Sequence, residues 1–189
     1  MIMQKETKRE VCELLVLFLG LEQTYAQLGA LCHSDRLDLN NFGQYFMQKS
    51  LRARLWAEKL QQFLFTCGQW FKFTGMINTL INVPEKDQMM DTVGFEVLLQ
   101  IALQGEQTIQ KQVQQLLNVE DQATVQWIES RISHEESAII DDLNEHLKQL
   151  QQAKCIFAYD SLVMLHYNTN DNRQGYLASH DWALPDQCF

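Results

Sequence analysis

The stretch FGQYFMQKSLRARLWAEKLQQFLFTC, residues 42–67, places core-type side chains at alternating steps of three and four. Because this spacing keeps side chains on one face of an α-helix, it predicts a long helix over residues 38–68 with one buried stripe. Asn40 and Asn41 stand at its start as N-terminal caps. The stripe consists of Phe42, Phe46, Lys49, Ala53, Trp56, Leu60, Phe63 and Cys67.

Three other segments show the same spacing, at residues 5–33, 91–118 and 121–152. Their stripes are Leu14, Phe18, Leu21, Tyr25, Leu28 and Cys32 in the first; Phe95, Leu99, Ala102, Glu106, Ile109, Val113 and Leu116 in the second; and Val125, Ile128, Ile132, Glu135, Ile139, Leu143, His146 and Leu150 in the third. Four long helices with one inner face each predict an all-α fold, a four-helix bundle.

The lengths of the connections predict the topology. Short links join the first helix to the second and the third to the fourth, so each pair is expected to form an antiparallel hairpin. Residues 69–90 are long enough to cross the bundle, which is the ferritin-like arrangement with a single long crossover. A short fifth helix is predicted at 156–167. The helical domain is therefore placed at residues 5–167 and a C-terminal tail at 168–189.

The composition disfavours two classes of partner. The chain of 189 residues carries a formal net charge of −9. Nucleic acid and anionic membranes are disfavoured as partners, because phosphate contacts depend on clustered Lys and Arg. The five cysteines are widely spaced and form no C-x-x-C pair, which is typical of reduced thiols and of neither a disulfide framework nor a zinc module.

The N-terminal region imitates a secretory signal, because Lys5, Lys8 and Arg9 precede the run LLVLFLGL. Glu13 interrupts the front of that run, and the helical stripe continues through it to Cys32. No run approaches the roughly 18 apolar residues that a membrane helix needs. We therefore expect a soluble, cytoplasmic protein, with secretion as the weaker alternative.

Acidic residues interrupt the inner faces of three predicted helices. Glu106 lies in the third helix, Glu135 and Glu136 lie in the fourth, and Glu22 lies beside the stripe of the first. An unpaired buried carboxylate costs several kcal/mol, so these side chains need a metal ion, a cation or a proton if they converge. The alternative is that the helices are rotated and the glutamates face solvent.

Several strings resemble the ferritin family, across roughly residues 10–167. NFGQYFMQKS (41–50) with AEKL (57–60) is similar to the ferritin second helix, and ALQGEQTIQKQVQQLL (102–117) is similar to the third. WIESRISHEESAIIDDLNEHLKQL (127–150) resembles the fourth, and FAYDSLVML (157–165) the short fifth. The resemblance implies a subunit of a hollow shell that holds ferric mineral, either a homo-oligomer or a shell mixed with other ferritin subunits.

Catalytic ferritin subunits oxidise iron at a di-iron centre that includes a Glu-x-x-His pair on the second helix. Carried over by position, this pair falls on Ala53 and Trp56, and neither side chain can ligate iron. The resemblance therefore implies that the ordinary centre is broken.

The other ligand positions are partly kept. Glu106 matches the third-helix ligand, Glu135 and Glu136 match the polar pair of the fourth helix, and the first-helix ligand falls on Glu22, Gln23 or Gly20. The remnant metal ligands implied by the resemblance are Glu22, Glu106, Glu135 and Glu136.

If no metal neutralises Glu106 and Glu135, a cation has to do so. We expect Arg52, Arg54 or Lys49 on the facing helix to bridge these carboxylates. Ala53 and Trp56 then fill the remaining volume as core residues. No cofactor is expected in such a centre, and the chain would correspond to the family's noncatalytic, light-type subunits.

Two surface features of the family are also altered. The second-helix acids that nucleate mineral are replaced by Gln48, Lys49, Arg52 and Arg54. At the three-fold pore, Glu129 matches one acid, while Gln126 stands where an Asp is usual. The resemblance therefore implies weak nucleation, and weak iron uptake through a channel made only of this chain, with iron kept as a candidate cargo.

Three hypotheses about function remain open. The first is a noncatalytic ferritin-like subunit, a structural component of an iron-storage shell. The second is a divergent ferroxidase that binds one iron ion through Glu22, Glu106, Glu135 and Glu136, with His134 nearby. The third is a ferritin-fold scaffold or binding protein without an iron function.

Overall fold

The computed structural model describes residues 3–35, 37–72, 75–84, 95–153 and 155–168. Within these residues the protein is all-α, with 79% helix and no strand. The first three long helices are α1 (Lys5–Cys32), α2 (Asn40–Thr66) and α3 (Glu96–Leu116). A fourth helical run consists of α4 (Gln122–Ile128), a π-helical segment (Glu129–Ser133) and α5 (His134–Gln152). The last run is α6 (Ile156–Tyr159) followed by a second π-helical segment (Asp160–Met164).

The predicted inner stripes are confirmed. Every stripe residue is buried except Phe95, Val125 and Glu135, which are partly buried. The helices also begin and end close to the predicted positions, although the spacing gave no sign of the π-helical turn within the fourth run. The predicted start of the third helix at residues 91–94 and most of the predicted tail, residues 169–189, lie outside the described residues.

Helix α1 packs along α2 in the opposite direction. Ser50 Oγ donates a hydrogen bond to the Glu22 carbonyl at 3.0 Å. Further along α1, a Cβ added to Gly29 would lie 2.8 Å from the sulfur of Met47, which is earlier in α2. Later residues of α1 thus meet earlier residues of α2. The absence of a side chain at Gly29 lets the two helices approach closely at this point.

Helix α3 also runs opposite to α1. Gln112 Nε2 donates to a Glu10 carboxylate oxygen at 2.9 Å, and Tyr25 OH donates to Glu106 Oε1 at 2.6 Å. Because α2 and α3 both run opposite to α1, they point in the same direction. The chain between them therefore has to return along the length of the helices.

Part of that return path is docked on α1. Leu80 N–H points to the Gly20 carbonyl and to Thr24 Oγ1, each at 2.9 Å, and Ile81 N donates to the same hydroxyl at 3.2 Å. A Cβ added to Gly20 would lie 3.2 Å from the Asn78 carbonyl. The glycine therefore allows the backbone of the connection to lie close against the helix.

The N-terminus of α2 is capped by a distant aspartate, so the prediction that Asn40 and Asn41 are the caps is wrong. Among the described residues, neither asparagine forms a side-chain cap. Instead, Asp160 accepts hydrogen bonds from the backbone N–H of Phe42 at 2.7 Å and of Asn41 at 3.3 Å. A carboxylate is favourable there because the first amides of a helix lack partners and carry partial positive charge.

Helix α1 satisfies the length and composition of a membrane-spanning helix, so the expectation that no run comes close to this requirement is wrong. Half of its most apolar window is buried inside the fold. The core helix of a soluble protein and a signal sequence also satisfy this requirement of length and composition. In this fold the buried side of α1 supplies Leu14, Phe18 and Leu21 to the core.

Candidate functional site

The candidate site is centred on Arg52, in the middle of α2. Ala53 and Trp56 lie one turn apart on the inner face of this helix, and both are buried. Arg52 is adjacent to that face, and only 6% of its side chain is exposed. A guanidinium in this position requires anionic partners, because an unpaired buried charge is strongly destabilising.

Three glutamates supply these partners, and each accepts a hydrogen bond from a different nitrogen of Arg52. Nη1 donates to Glu106 Oε1 at 3.0 Å, and Nε donates to Glu135 Oε1 at 2.7 Å. Nη2 donates to Oε1 of Glu136. We call these four side chains the arginine clasp. It joins α2 to α3 and to α5.

Two aromatic side chains complete the polar contacts of the clasp. Tyr25 OH donates to Glu106 Oε1 at 2.6 Å, and Trp56 Nε1 donates to Glu135 Oε1 at 2.9 Å. Burial and the charge of Glu106 raise the pKa of Tyr25 well above its ordinary value, so the phenol stays protonated and keeps donating. Helix α1 is thereby connected to the same cluster.

The charges of the clasp do not cancel when every group is ionised, since three carboxylates face one guanidinium. Burial on its own lowers the pKa of Arg52, but the charges of Glu136, Glu106 and Glu135 outweigh it and hold the pKa above its ordinary value. Burial raises the pKa of Glu136 well above its ordinary value; Arg52 opposes this, and the charge of Glu106 adds to it. Glu135 is 18% exposed and therefore keeps contact with water.

The second oxygens of two clasp carboxyls indicate where a proton is held. Glu106 Oε2 and Glu136 Oε2 are buried, and each lacks a hydrogen-bond donor in the described part of the chain. Burial, and after it the charge of Glu106, raise the pKa of Glu136 and favour its neutral form. With Glu136 neutral, Arg52 faces two carboxylates, so one negative charge of the cluster stays unbalanced when Glu106 and Glu135 are both ionised.

The donor set does not fit a ferroxidase centre. Ala53 has no donor atom, and Trp56 uses its only polar group to bind Glu135. Within the described ranges, no group of three or more His, Cys, Asp or Glu side chains is arranged to hold a metal ion. The guanidinium of Arg52 lies among the carboxylates that would have to ligate the metal.

The other two cations proposed as bridges have different partners. Arg54 is exposed and pairs with Glu58 one turn away at 3.1 Å. Lys49 Nζ lies 3.9 Å from Asp142. Of the three candidates, Arg52 makes the contacts with the glutamates.

The structure separates Glu22 from the other three remnant ligands. Its side chain lines a surface groove of about 260 Å³ between α1 and α2, together with Arg54 and Glu58. Burial raises the pKa of Glu22, and Arg54 opposes that shift. Glu106, Glu135 and Glu136 converge on Arg52, whereas Glu22 belongs to a different site.

The two residues matched to the three-fold pore are both exposed. Gln126 lies in α4, and Glu129 begins the π-helical segment that precedes Glu135. Short π-helical turns inside α-helices frequently occur beside functional sites. Here the turn lies one residue before the stretch in which consecutive glutamates, Glu135 and Glu136, both reach Arg52.

A second polar cluster, centred on Asp142 of α5, was not predicted from the sequence. Tyr45 OH and Tyr167 OH donate to Asp142 Oδ2 at 3.2 and 2.9 Å. Lys49 Nζ is 3.9 Å from that oxygen, and His146 Nε2 is 3.6 Å from Oδ1. The sequence did carry part of the information needed to predict this cluster. Asp142 and His146 are four residues apart, a spacing that places them on one face of a helix.

His146 connects this cluster to the C-terminal helical segment. Its Nδ1 lies 2.8 Å from Tyr159 OH, and its ring packs edge-on against Tyr167 at a centroid distance of 4.9 Å. Burial lowers the pKa of His146, and the charge of Asp142 opposes that shift. The side chain is therefore favoured in its neutral form within the fold.

No protein-family model and no curated protein matches this chain. The similarity to ferritins noted in the sequence therefore stays a prediction.

Proposed function

We propose that the protein is a noncatalytic ferritin-like subunit, a structural component of an iron-storage type shell whose bundle centre is held by a salt bridge without metal. The observation that carries the proposal is the contact of Arg52 with Glu106, Glu135 and Glu136. By resemblance, these three glutamates stand at the positions of family metal ligands. A guanidinium satisfies such carboxylates without any redox chemistry.

The directions of the helices support a ferritin-like bundle. Helix α1 runs opposite to α2 and α3, and the contacts of Arg52 with Glu135 and of Tyr45 with Asp142 indicate that α5 runs opposite to α2. The order of directions is thus up, down, down, up, which requires one long connection between the second and third helices. Ferritin-like folds have one such long crossover.

The proposed role is to build and stabilise the shell, alone or mixed with catalytic subunits, in the cytoplasm. The exposed Arg54 and Gln126, at positions where the family has acids, support weaker contact with iron than in catalytic relatives. Iron would be cargo of the assembled shell and not a cofactor bound within one subunit.

Size-exclusion chromatography with light scattering tests the shell. The expected result for the purified full chain, or for the chain co-expressed with a catalytic ferritin subunit, is a particle many times heavier than one subunit of 22.1 kDa. If the chain stays at 22.1 kDa in both preparations, the shell proposal is overturned.

Ferrous oxidation followed by absorbance tests the noncatalytic role. We expect the chain to oxidise ferrous ion no faster than a buffer control, because its second-helix ligand positions hold Ala53 and Trp56. Rapid oxidation that is lost in Glu106→Gln and retained in Glu120→Gln would instead establish the divergent ferroxidase. Glu120 is a suitable control because it is an exposed glutamate outside both the clasp and the residues matched to the pore.

A further inference from the structure

The C-terminal segment, residues 155–168, is attached to α2 and α5 largely through polar contacts. We call this segment the strap. Asp160 caps α2, and Tyr159 OH lies 2.8 Å from Nδ1 of His146 on α5. All residues of the strap are described, and of their apolar side chains only Tyr159 and Met164 are buried. An element with few buried apolar contacts can open locally while the rest of a fold stays intact.

The strap provides much of the cover over His146, whose side chain is only 7% exposed. The rings of Tyr159 and Tyr167, both in the strap, lie 6.3 and 4.9 Å from the imidazole, measured between ring centroids. Tyr45 of α2 supplies a third ring at 5.6 Å. Detaching the strap therefore removes two of the three aromatic rings that pack on His146 in the described part of the chain, and it opens the imidazole to water.

The polar contacts of His146 suit a neutral imidazole better than a charged one. Nδ1 has Tyr159 OH at hydrogen-bond distance. Nε2 is buried and has no hydrogen-bond partner among the described residues, and Asp142 Oδ1 lies 3.6 Å away from it. A protonated ring carries two N–H donors, so one donor of a buried charge would stay unsatisfied in this geometry. Water can satisfy both donors once the strap is open.

The ionisable groups that face His146 come from three elements. They are Asp142 and Glu145 on α5, Lys49 and Tyr45 on α2, and Tyr159 and Tyr167 in the strap. Burial lowers the pKa of His146 and outweighs the charge of Asp142, which opposes it. Lys49 lowers the pKa further, and Glu145 opposes the shift weakly. Burial also raises the pKa of Tyr45 well above its ordinary value and that of Tyr159 to about 12, so both phenols stay neutral.

We propose that the strap responds to acid: when His146 takes up a proton, residues 155–168 detach from α2 and α5. The attached strap buries the imidazole and the detached strap leaves it in water, so a proton binds more tightly to the detached form. Because such coupling is reciprocal, acid favours detachment. Detachment also removes the Asp160 cap from α2. The proposal goes beyond the proposed ferritin-like role and does not depend on it.

The pH range of the response follows from the direction of the shift. The pKa of His146 is below its ordinary value of 6.5 while the strap is attached. The stabilisation of the attached form is therefore complete above pH 6.5 and is lost as pH falls through the lowered pKa. Within that range, the ratio of detached to attached strap should rise by up to about tenfold per pH unit.

Hydrogen exchange of the full-length chain tests the proposal. The backbone N–H of Phe42 reports on attachment, because it donates to Asp160 of the strap at 2.7 Å. Between about pH 7.5 and about pH 5, after correction for intrinsic exchange, its protection should fall by up to about tenfold per pH unit once the pH is below 6.5. The N–H of Leu80, which donates to the Gly20 carbonyl on α1 at 2.9 Å, is the control and should keep its protection.

Two histidine variants separate His146 from other groups that titrate. In His146→Gln, the protection of Phe42 should not depend on pH in this range. His134→Gln, at an exposed histidine of α5, should behave like the wild type. The same pH dependence in His146→Gln and the wild type, or none in the wild type, would overturn the proposal. An equal loss of protection at Leu80 would also overturn it, because acid would then open the whole fold.

Titration of His146 by nuclear magnetic resonance is the second measurement, and it applies even if His146→Gln does not fold. Asp160→Ala weakens attachment of the strap, so the pKa of His146 should rise toward 6.5. Removing a carboxylate without opening the strap can only lower that pKa, so a rise reports on detachment. Asp35→Ala, at an exposed aspartate between α1 and α2, should leave it unchanged. A His146 pKa that does not rise in Asp160→Ala would refute the coupling.

Discussion

Arg52 Nη1 lies 3.0 Å from Glu106 Oε1, and this contact joins α2 to α3. The same oxygen accepts a hydrogen bond from the Tyr25 hydroxyl at 2.6 Å. Side chains from α1, α2 and α3 therefore meet at this oxygen. Both side chains of the ion pair are buried. Such a pair contributes little net stability over well-packed hydrocarbon, but the loss of one partner leaves an uncompensated charge. The cluster is therefore sensitive to single substitutions.

Replacing Arg52 should destabilise the fold strongly. Arg52→Gln leaves buried carboxylates without a cation and is expected to lower the free energy of unfolding by about 3–5 kcal/mol. Arg52→Glu should cost more, because it adds an anion. Urea denaturation followed by circular dichroism measures both. Arg54→Gln is the control and should change stability by no more than about 0.5 kcal/mol, since its side chain is 60% exposed. Equal losses at positions 52 and 54 would contradict the clasp.

Glu136 should make stability fall as pH rises. Its folded-state pKa is raised above the ordinary value of 4.5, mainly by burial, so its stabilising contribution is complete below pH 4.5 and is lost as pH passes through the folded-state pKa. Within that window the loss is about 1.4 kcal/mol per pH unit. Glu136→Gln mimics the neutral acid and should be at least as stable as the wild type at neutral pH.

The measurement is the free energy of unfolding of Glu136→Gln relative to the wild type at a series of pH values above 4.5. The difference should grow in favour of the variant as pH rises. Glu129→Gln, at an exposed position, should show a constant difference. A Glu136→Gln variant that is several kcal/mol less stable than the wild type at neutral pH would show that the ionised carboxylate is required.

His146 should have the opposite pH dependence. Burial holds its folded-state pKa below the ordinary value of 6.5, so its contribution is present above pH 6.5 and is lost as pH falls through the folded-state pKa. In His146→Gln, the free energy of unfolding should no longer show this loss at acid pH, when variant and wild type are compared at each pH. His134→Gln, at an exposed histidine, should keep it. If the free energy of unfolding depended on pH in the same way in the wild type and in both variants, His146 would be protonated equally in the folded and unfolded states.

Asp160 should stabilise α2 from outside that helix. Asp160→Ala removes the acceptor of two backbone amides and is expected to cost about 1–2 kcal/mol. Hydrogen exchange should speed up at the amide of Phe42, which donates to Asp160 at 2.7 Å. Asp141→Ala, at an exposed aspartate on α5, should change neither quantity. An unchanged exchange rate at Phe42 would indicate that solvent replaces the cap without cost.

Much of the core could be read from the sequence because helical periodicity is a local property. Residues such as Phe18, Phe46 and Leu143 lie at steps that place them on one face, and all three are buried. The same pattern identified Glu106 as an acid at a position where an apolar side chain is expected. The need for a cation then followed from the cost of burying charge, and three candidates were named on the facing helix.

The choice among those candidates required the structure. Arg52 and Arg54 are two residues apart and therefore point to nearly opposite sides of α2, so the orientation of the helix about its axis decides which of them points inward. Packing of Ala53 and Trp56 against the core sets that rotation, and it sends Arg54 to the surface. Glu136 was named from the sequence together with Glu135, but its deeper burial, and the raised pKa that follows from it, depend on the surrounding helices.

The sequence by itself determined the helices and their inner faces, and it showed that buried acids needed a counter-charge, because these features depend on spacing along one chain and on the cost of desolvation. Only the tertiary structure decided that Arg52 is the partner, that Glu22 belongs to another site, and that Asp160 caps a helix more than a hundred positions away. Such contacts depend on how each helix is rotated about its axis and on how distant segments pack together. The spacing of residues along the sequence carries no information about either.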